Sequence, residues 1–327
     1  MQKYPATKEQ YVIVGFGWVG QANALAIKML GLDVSYFDLS TPPRHYPQYA
    51  HVYDSLTRLT DIKSKDSVKT WYIVCVGDKV SDEGVQDISH IKNALDSLSD
   101  VEGEIILRST ILPDLLDTLQ FNYYMPEFLH EQKAVEESLD PHFFVVGDMA
   151  GNRPWPSLFP IWRARSRKVF QGTPREASFI KYLSNIWNAT RIAFVNEFGD
   201  AIGRPSDKAH LQEIERITDF LFDRGNYMRY GRAFGGHCLP KDTRAFRSWY
   251  EKRGVRLPLV AGVYQANTQH EKLQETFPLM PEWYSQWSES NGSGRRALQQ
   301  LWHSIRKNAM HPTIILNMFK REKKTGI

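Results

Sequence analysis

The run Tyr11-Val12-Ile13-Val14-Gly15-Phe16-Gly17-Trp18-Val19-Gly20 constrains this 327-residue chain more than any other segment. An apolar, β-prone stretch leads into a G-x-G-x-x-G turn, and Gln21-Ala22-Asn23-Ala24-Leu25-Ala26 continues as a helix. In such a unit Gly15 makes the tight turn, Gly17 admits a pyrophosphate and Gly20 lets helix and strand pack, with the phosphates facing the helix N-terminus. Glycine turns alone are common, so context decides. Leu32-Asp33-Val34-Ser35-Tyr36-Phe37-Asp38 reads as a second strand ending in an acid. Asp38 lies 18 residues beyond Gly20, near the ~20 usual for a carboxylate that binds ribose hydroxyls. The segment therefore predicts a dinucleotide site formed by Gly15, Gly17, Trp18, Val19, Gly20 and Asp38. A carboxylate there repels a 2′-phosphate and selects NAD over NADP, with Arg44 as the nearby residue that could offset it.

The rest of the first half repeats this alternation. Strands are expected at 11–14, 33–37, 71–76, 104–108, 121–124 and 143–147, with a further one at 168–170 and helices around 18–30 and 87–98. That order implies an α/β fold with a doubly wound, mainly parallel sheet. Asn152-Arg153-Pro154-Trp155-Pro156 marks a turn into the last helix of this part. From about Pro174 the pattern changes. Residues 175–201 hold no proline and no glycine before Gly199, and apolar residues recur at helical spacing: Phe179, Ile180, Leu183, Ile186, Trp187, Ile192, Phe194, Val195. A helix of that length runs roughly 40 Å, long enough to join domains or form a dimer seam. Two or three more helices follow to about 272, and the remainder, with Ser288-Glu289-Ser290-Asn291-Gly292-Ser293-Gly294, reads as linker and short helical tail. The expected division is 1–172, 173–272 and 273–327.

Composition removes several classes of function. A net charge of +4 is too small to imply a nucleic-acid partner, and the C-terminal Lys320-Arg321-Glu322-Lys323-Lys324 reads as a solvated tail. No apolar stretch approaches the roughly 18 residues of a membrane helix, and no signal peptide is evident, so a cytoplasmic chain with no membrane partner is expected. Two cysteines form no disulfide framework. The ten histidines show no metal-ligand spacing, so no metal is expected.

Of the two cysteines, Cys75 falls in an apolar run and reads as a small buried hydrophobe. Cys238 sits in Phe234-Gly235-Gly236-His237-Cys238-Leu239-Pro240-Lys241-Asp242. Glycines before it allow close backbone approach to a ligand, a nearby cation favours the thiolate, and Asp242 is a carboxylate one turn away. A structural cysteine in a Gly-Pro turn is the competing reading, weakened by the dinucleotide signal upstream. Lys181 and Asn185 are four apart in the long helix, hence on one face, where they can together hold an oxyanion or a water.

These pieces resemble the UDP-glucose/GDP-mannose dehydrogenase family over roughly residues 10–270. The marks are the dinucleotide turn, Arg108-Ser109-Thr110, Met125-Pro126-Glu127-Phe128-Leu129, Lys181-Tyr182-Leu183-Ser184-Asn185, Asn196-Glu197 and the Cys238 run. The resemblance implies a Rossmann-like NAD-binding domain, then the long helix and an all-helical dimerisation domain. It also implies oxidation of the C6 alcohol of a nucleotide-linked sugar to a carboxylate, through a Cys238 thiohemiacetal and thioester, as in polysaccharide biosynthesis. Lys181 and Asn185 join Cys238 in that chemistry, while Asp242, Thr110 and Glu127 position water or move protons. Ser109 and Thr110 face the cofactor. Phe128, Leu129, Arg224, Arg229 and Gly235 face the nucleotide sugar, one arginine reaching across a homodimer.

The chain also departs from the family. Met125 stands where an asparagine is usual, Gly77-Asp78-Lys79 replaces a Thr-Pro loop, His237 replaces a serine, and Ser178 replaces a glutamate. After position 270 only 57 residues remain, too few for the family's third domain. Two other functions therefore stay open: a two-electron hydroxyacid-type dehydrogenase acting on a non-nucleotide substrate, and a catalytically weak NAD-binding subunit.

Overall fold

The computed structural model describes residues 9–130, 133–149, 154–203, 208–222, 227–236 and 238–276. Among these residues there are ten strands: β1 Gln10–Val14, β2 Asp33–Phe37, β3 Thr57–Arg58, β4 Thr70–Val74, β5 Lys79–Val80, β6 Gln86–Asp87, β7 Glu104–Leu107, β8 Tyr123–Tyr124, β9 Phe143–Asp148 and β10 Lys168–Gly172. Eight of them make one sheet in the order β10-β9-β8-β7-β4-β1-β2-β3, while β5 and β6 pair as a separate hairpin. Every neighbouring pair in the large sheet is parallel except β8 with β9. The Rossmann-like sheet expected from the sequence is thus present.

Side chains alternate across each strand, so a sheet covered on both faces needs two cores. Tyr11, Ile13, Trp71, Ile73, Tyr123 and Phe144 enter one core, with Leu25 and Trp162 from the helices above them. Val12, Val14, Tyr72, Val74, Leu107 and Val145 enter the other, with Ile91 and Leu95. This double burial explains why the strands read as unbroken apolar runs.

The helices are α1 Trp18–Met29, α2 Ala50–Tyr53, α3 Ser89–Asp96, α4 Pro113–Leu116, α5 Ala134–Leu139, α6 Leu158–Arg165, α7 Pro174–Ile202, α8 Lys208–Leu221, α9 Cys238–Glu251 and α10 Pro258–Thr276. Helix α7 starts sharply because Thr173 and Glu176 form a reciprocal capping box with Pro174 in the first turn. Its start meets the sheet where a side chain on Gly147 would collide with Pro174, and further along it packs on α9 and α10.

The hairpin β5–β6 was not expected, and it shortens the helix predicted at 87–98 to 89–96. Its role is visible at Gly84, where an added Cβ would lie 2.6 Å from the Arg244 carbonyl oxygen and 2.7 Å from the Ser248 Cβ. The hairpin therefore lies directly against α9. Strand β4 also ends earlier than predicted. Cys75 donates its N–H to Val14 O at 2.8 Å, and residues 75–78 then leave the ladder toward the same helix.

Candidate active site

Loops after β1, β4, β7 and β8 open at the carboxyl edge of the sheet, and the order changes direction between β4, β1 and β2. Ligands of open α/β sheets bind at such an edge. The glycine turn there is preformed. A side chain on Gly20 would lie 1.9 Å from Gly15 O, so only glycine permits this helix–turn approach, whereas a Cβ on Gly17 would meet nothing within 4 Å. No side chain caps α1, which leaves its first N–H groups, from Trp18 onward, turned to that open side. Asp38 stands beside the turn: one carboxylate oxygen accepts the Phe16 N–H at 2.6 Å and the other accepts the Ser40 N–H and hydroxyl at 2.7 and 2.9 Å. Trp18 stacks on His45 with ring centroids 3.9 Å apart. An open cradle of backbone donors beside an acid fits a dinucleotide.

At the other end of the edge, residues far apart in sequence meet. Glu127, following β8, accepts a hydrogen bond from Lys181 Nζ at 3.1 Å with one oxygen and from the Leu129 N–H at 2.7 Å with the other. Lys181 Nζ also lies 5.4 Å from the centre of the Phe128 ring. Asn185 Nδ2 donates to Asp242 Oδ2 at 2.6 Å. Lys181 and Asn185 thus share a face of α7, as predicted, but engage separate carboxylates. All four side chains are buried. Burial would raise the Glu127 carboxyl, yet the Lys181 ammonium, the Leu129 amide and Arg108 together hold it below its ordinary range. Burial likewise works against the Lys181 ammonium, but Glu127, Cys238 and Asp242 hold its pKa above the usual lysine value.

Cys238 heads α9 and reaches solvent. Its thiol is nevertheless pushed up to about 11, first by the dense protein around it and then by Glu127 and Asp242, against the pull of Lys181 and Lys241. The neighbouring lysines do favour the thiolate, as the sequence suggested, but burial and the two carboxylates outweigh them. Lys241 is taken up elsewhere: its Nζ lies 2.7 and 2.9 Å from the two oxygens of Asp78 and 2.8 Å from Asp242 Oδ1.

The remaining candidates fall around this centre. Ser109 Oγ donates to Val76 O at 2.6 Å, and the Thr110 carbonyl accepts from Gln86 Nε2 at 2.9 Å. Gln86 also donates to Asp78 Oδ2 at 2.6 Å and approaches the Tyr182 hydroxyl at 3.2 Å. Gly235 follows Phe234, whose backbone N–H and carbonyl both bond the Asn267 side-chain amide on α10. Arg229 approaches Glu215 of α8 at 3.9 Å. Arg224 and His237 lie outside the described residues, as do the glycine linker and the basic cluster near the C-terminus. Sequence reasoning missed Asp78, Gln86 and Tyr182 as members of the network. An acid just past a strand end was the one available signal. Ser178, flagged as a departure, is fully buried and donates to Ile111 O at 2.6 Å, so a short side chain seats α7 there. No group of three or more His, Cys, Asp or Glu among the described residues could hold a metal ion, and no described helix is long and apolar enough to cross a membrane.

A dinucleotide-type sheet with a thiol, two lysines and three carboxylates beyond its edge defines an oxidoreductase scaffold. Comparison with known proteins carries this further. Residues 175–269 match the UDP-glucose/GDP-mannose dehydrogenase family, central domain. GDP-mannose 6-dehydrogenase of Pseudomonas aeruginosa is 25% identical over 309 residues, covering 82% of this chain and 70% of that protein. UDP-glucose 6-dehydrogenase of Rickettsia typhi is 26% identical over 289 residues, covering 78% and 65%. The fold is shared with a UDP-glucose dehydrogenase from Pyrobaculum islandicum at a TM-score of 0.67 and 21% identity, over 82% of this chain and 70% of that one. The chain is thus similar to UDP-glucose and GDP-mannose dehydrogenases along most of its length, and residues 175–269 match the central domain of that family.

Proposed function

We propose that this chain oxidises the C6 alcohol of a nucleotide-linked sugar to a carboxylate, with NAD as hydride acceptor and Cys238 as nucleophile. The observation that carries this reading is the meeting of Glu127, Lys181, Asn185 and Asp242, from three separate segments, around one solvent-reachable thiol. The names of the relatives support the substrate class. Gly15, Gly17, Gly20, the start of α1 and Asp38 would hold the dinucleotide, which accepts two electrons and a hydrogen nucleus from C6 in each of two oxidations.

The protein's own residues supply the remaining chemistry. Lys181 makes one hydrogen bond among the described residues, to Glu127, and so keeps N–H groups for the oxygen on C6 as its negative charge develops. The first oxidation leaves an aldehyde, from which no second hydride can depart until a nucleophile adds. Cys238 enters as a thiol: its sulfur bonds to C6, and its proton passes by way of a nearby carboxylate to the aldehyde oxygen, which becomes the hydroxyl of a thiohemiacetal. The second oxidation leaves a thioester. Water then adds at that carbonyl, the carbon–sulfur bond breaks, sulfur recovers a proton, and the sugar leaves as a carboxylate. Asp242, held by Asn185, and Glu127, held by Lys181 and the Leu129 amide, are the carboxylates in place to orient that water and take its proton, with Thr110 alongside.

The test is a stoichiometric one. GDP-mannose and UDP-glucose are supplied with excess NAD, and NADH is counted per sugar consumed. Two per sugar supports the four-electron reading, and one per sugar would sink it in favour of an alcohol-to-aldehyde enzyme.

The same reading includes a homodimer built on α7. Leu183, Trp187 and Phe198 are each more than half exposed along it, a larger apolar surface than a lone helix usually leaves in water. Sedimentation at micromolar concentration is expected to show a twofold assembly, and a clean monomer would remove the idea.

A further inference from the structure

Lys241 is flanked by both of the carboxylates that could neutralise it, and this bears on the thiol three residues earlier. Three carboxylate oxygens, two from Asp78 and one from Asp242, lie within 2.9 Å of its nitrogen. Its two hydrogen bonds both go to Asp78, while Asp242 Oδ1 is held by charge and makes no hydrogen bond among the described residues. Asp78, Lys241 and Asp242 are all buried, and two carboxylates with one ammonium leave the cluster net negative. Asp78 is itself fixed by Gln86, which also holds the Thr110 carbonyl and the Leu112 N–H. The acid therefore cannot swing away from the lysine.

We propose that Asp78 is a positioning residue for Cys238 that acts through Lys241, binding its ammonium with both carboxylate oxygens and so offsetting the positive charge that the thiol would otherwise meet. The charged groups that face the thiol are Glu127 after β8, Lys181 on α7, and Lys241 and Asp242 on α9, with the Tyr227 phenol also within electrostatic reach. Of the two lysines, Lys181 is bonded to a single carboxylate oxygen, whereas Lys241 is bonded to both oxygens of Asp78. The bearing of Asp78 on turnover rests on the nucleophile reading above, but its effect on the thiol does not.

The test follows iodoacetamide alkylation of Cys238 against pH in the full chain, read by peptide mass spectrometry so that Cys75 is scored separately. Asp78→Asn is expected to lower the alkylation midpoint by about one pH unit, the size of removing one charge several ångströms away. Asp78→Glu, which keeps the charge, should hold the parental midpoint. Asp78→Asn combined with Lys241→Met restores the net charge of the cluster and should return the midpoint to the parental value. Asp78→Thr repeats the neutral replacement with a smaller side chain, should the asparagine variant not fold. A parental midpoint in the neutral variants, or an equally lowered one in the double variant, overturns the proposal. Because alkylation needs no substrate, this result is separate from whether the chain oxidises a nucleotide sugar.

Discussion

Two buried lysines stand near Cys238, and they differ in what they have left to give. Lys181 leans on a single carboxylate oxygen of Glu127, whereas Lys241 is enclosed by three oxygens from two acids. Both keep their charge, but for different work. An ammonium leaning on one oxygen can meet a charge that appears during reaction, while one enclosed by two carboxylates chiefly holds its neighbours in place. Sequence proximity points the wrong way here: Lys241 is three residues from the cysteine, and Lys181 is 57 residues away.

The comparison can be broken at several points. The largest effect is expected at the thiol itself, where Cys238→Ser should remove carboxylate production altogether while NAD affinity, measured calorimetrically, stays close to the parental value. Full acid production by that variant would end the covalent reading. Lys181→Met should lower kcat by about 10²–10³-fold, the usual loss when one donor to a developing oxyanion is removed. Lys241→Met should act differently, with a stability loss of about 3–5 kcal/mol because two buried carboxylates lose their cation. Chemical denaturation measures this directly. If Lys241→Met left stability unchanged and cost only kcat, the division between the two lysines would be reversed.

The smallest effect concerns pH. The carboxyl of Glu127 lies below its ordinary value in the folded protein, so its ion pair contributes stability above the unfolded carboxylate range and loses it as pH falls through the depressed folded value. Glu127→Gln should flatten the stability profile on the acid side, leaving the neutral region to report the cost of the orphaned Lys181. Denaturant midpoints between about pH 3 and pH 6 would show whether the slope is reduced.

Contiguity decides what the sequence discloses. The glycine turn, α1 and Asp38 occupy one stretch whose spacing carries its own geometry, and the structure places them as read. Lys181 and Asn185 were legible as one helical face for the same reason. Their partners were not, because separations of 54 residues from Glu127 to Lys181 and 57 from Asn185 to Asp242 leave no periodic trace of the contacts. The short hairpin carrying Gln86 was missed because two-residue strands give no alternation to detect. The raised thiol was not legible because a motif records that a lysine is near, not how densely the sulfur is surrounded or that Glu127 stands beside it.

The capping box at Thr173 carries one more consequence, an angular one. It fixes the residue at which α7 begins to wind, and each residue after it turns the helix by about 100°. Lys181 and Asn185 therefore point at Glu127 and Asp242 because of a count from Thr173, in the way a keyed shaft points its cam. One residue added between Arg175 and Phe179 would leave the helix intact and its cap in place, yet swing both side chains roughly a quarter turn out of alignment.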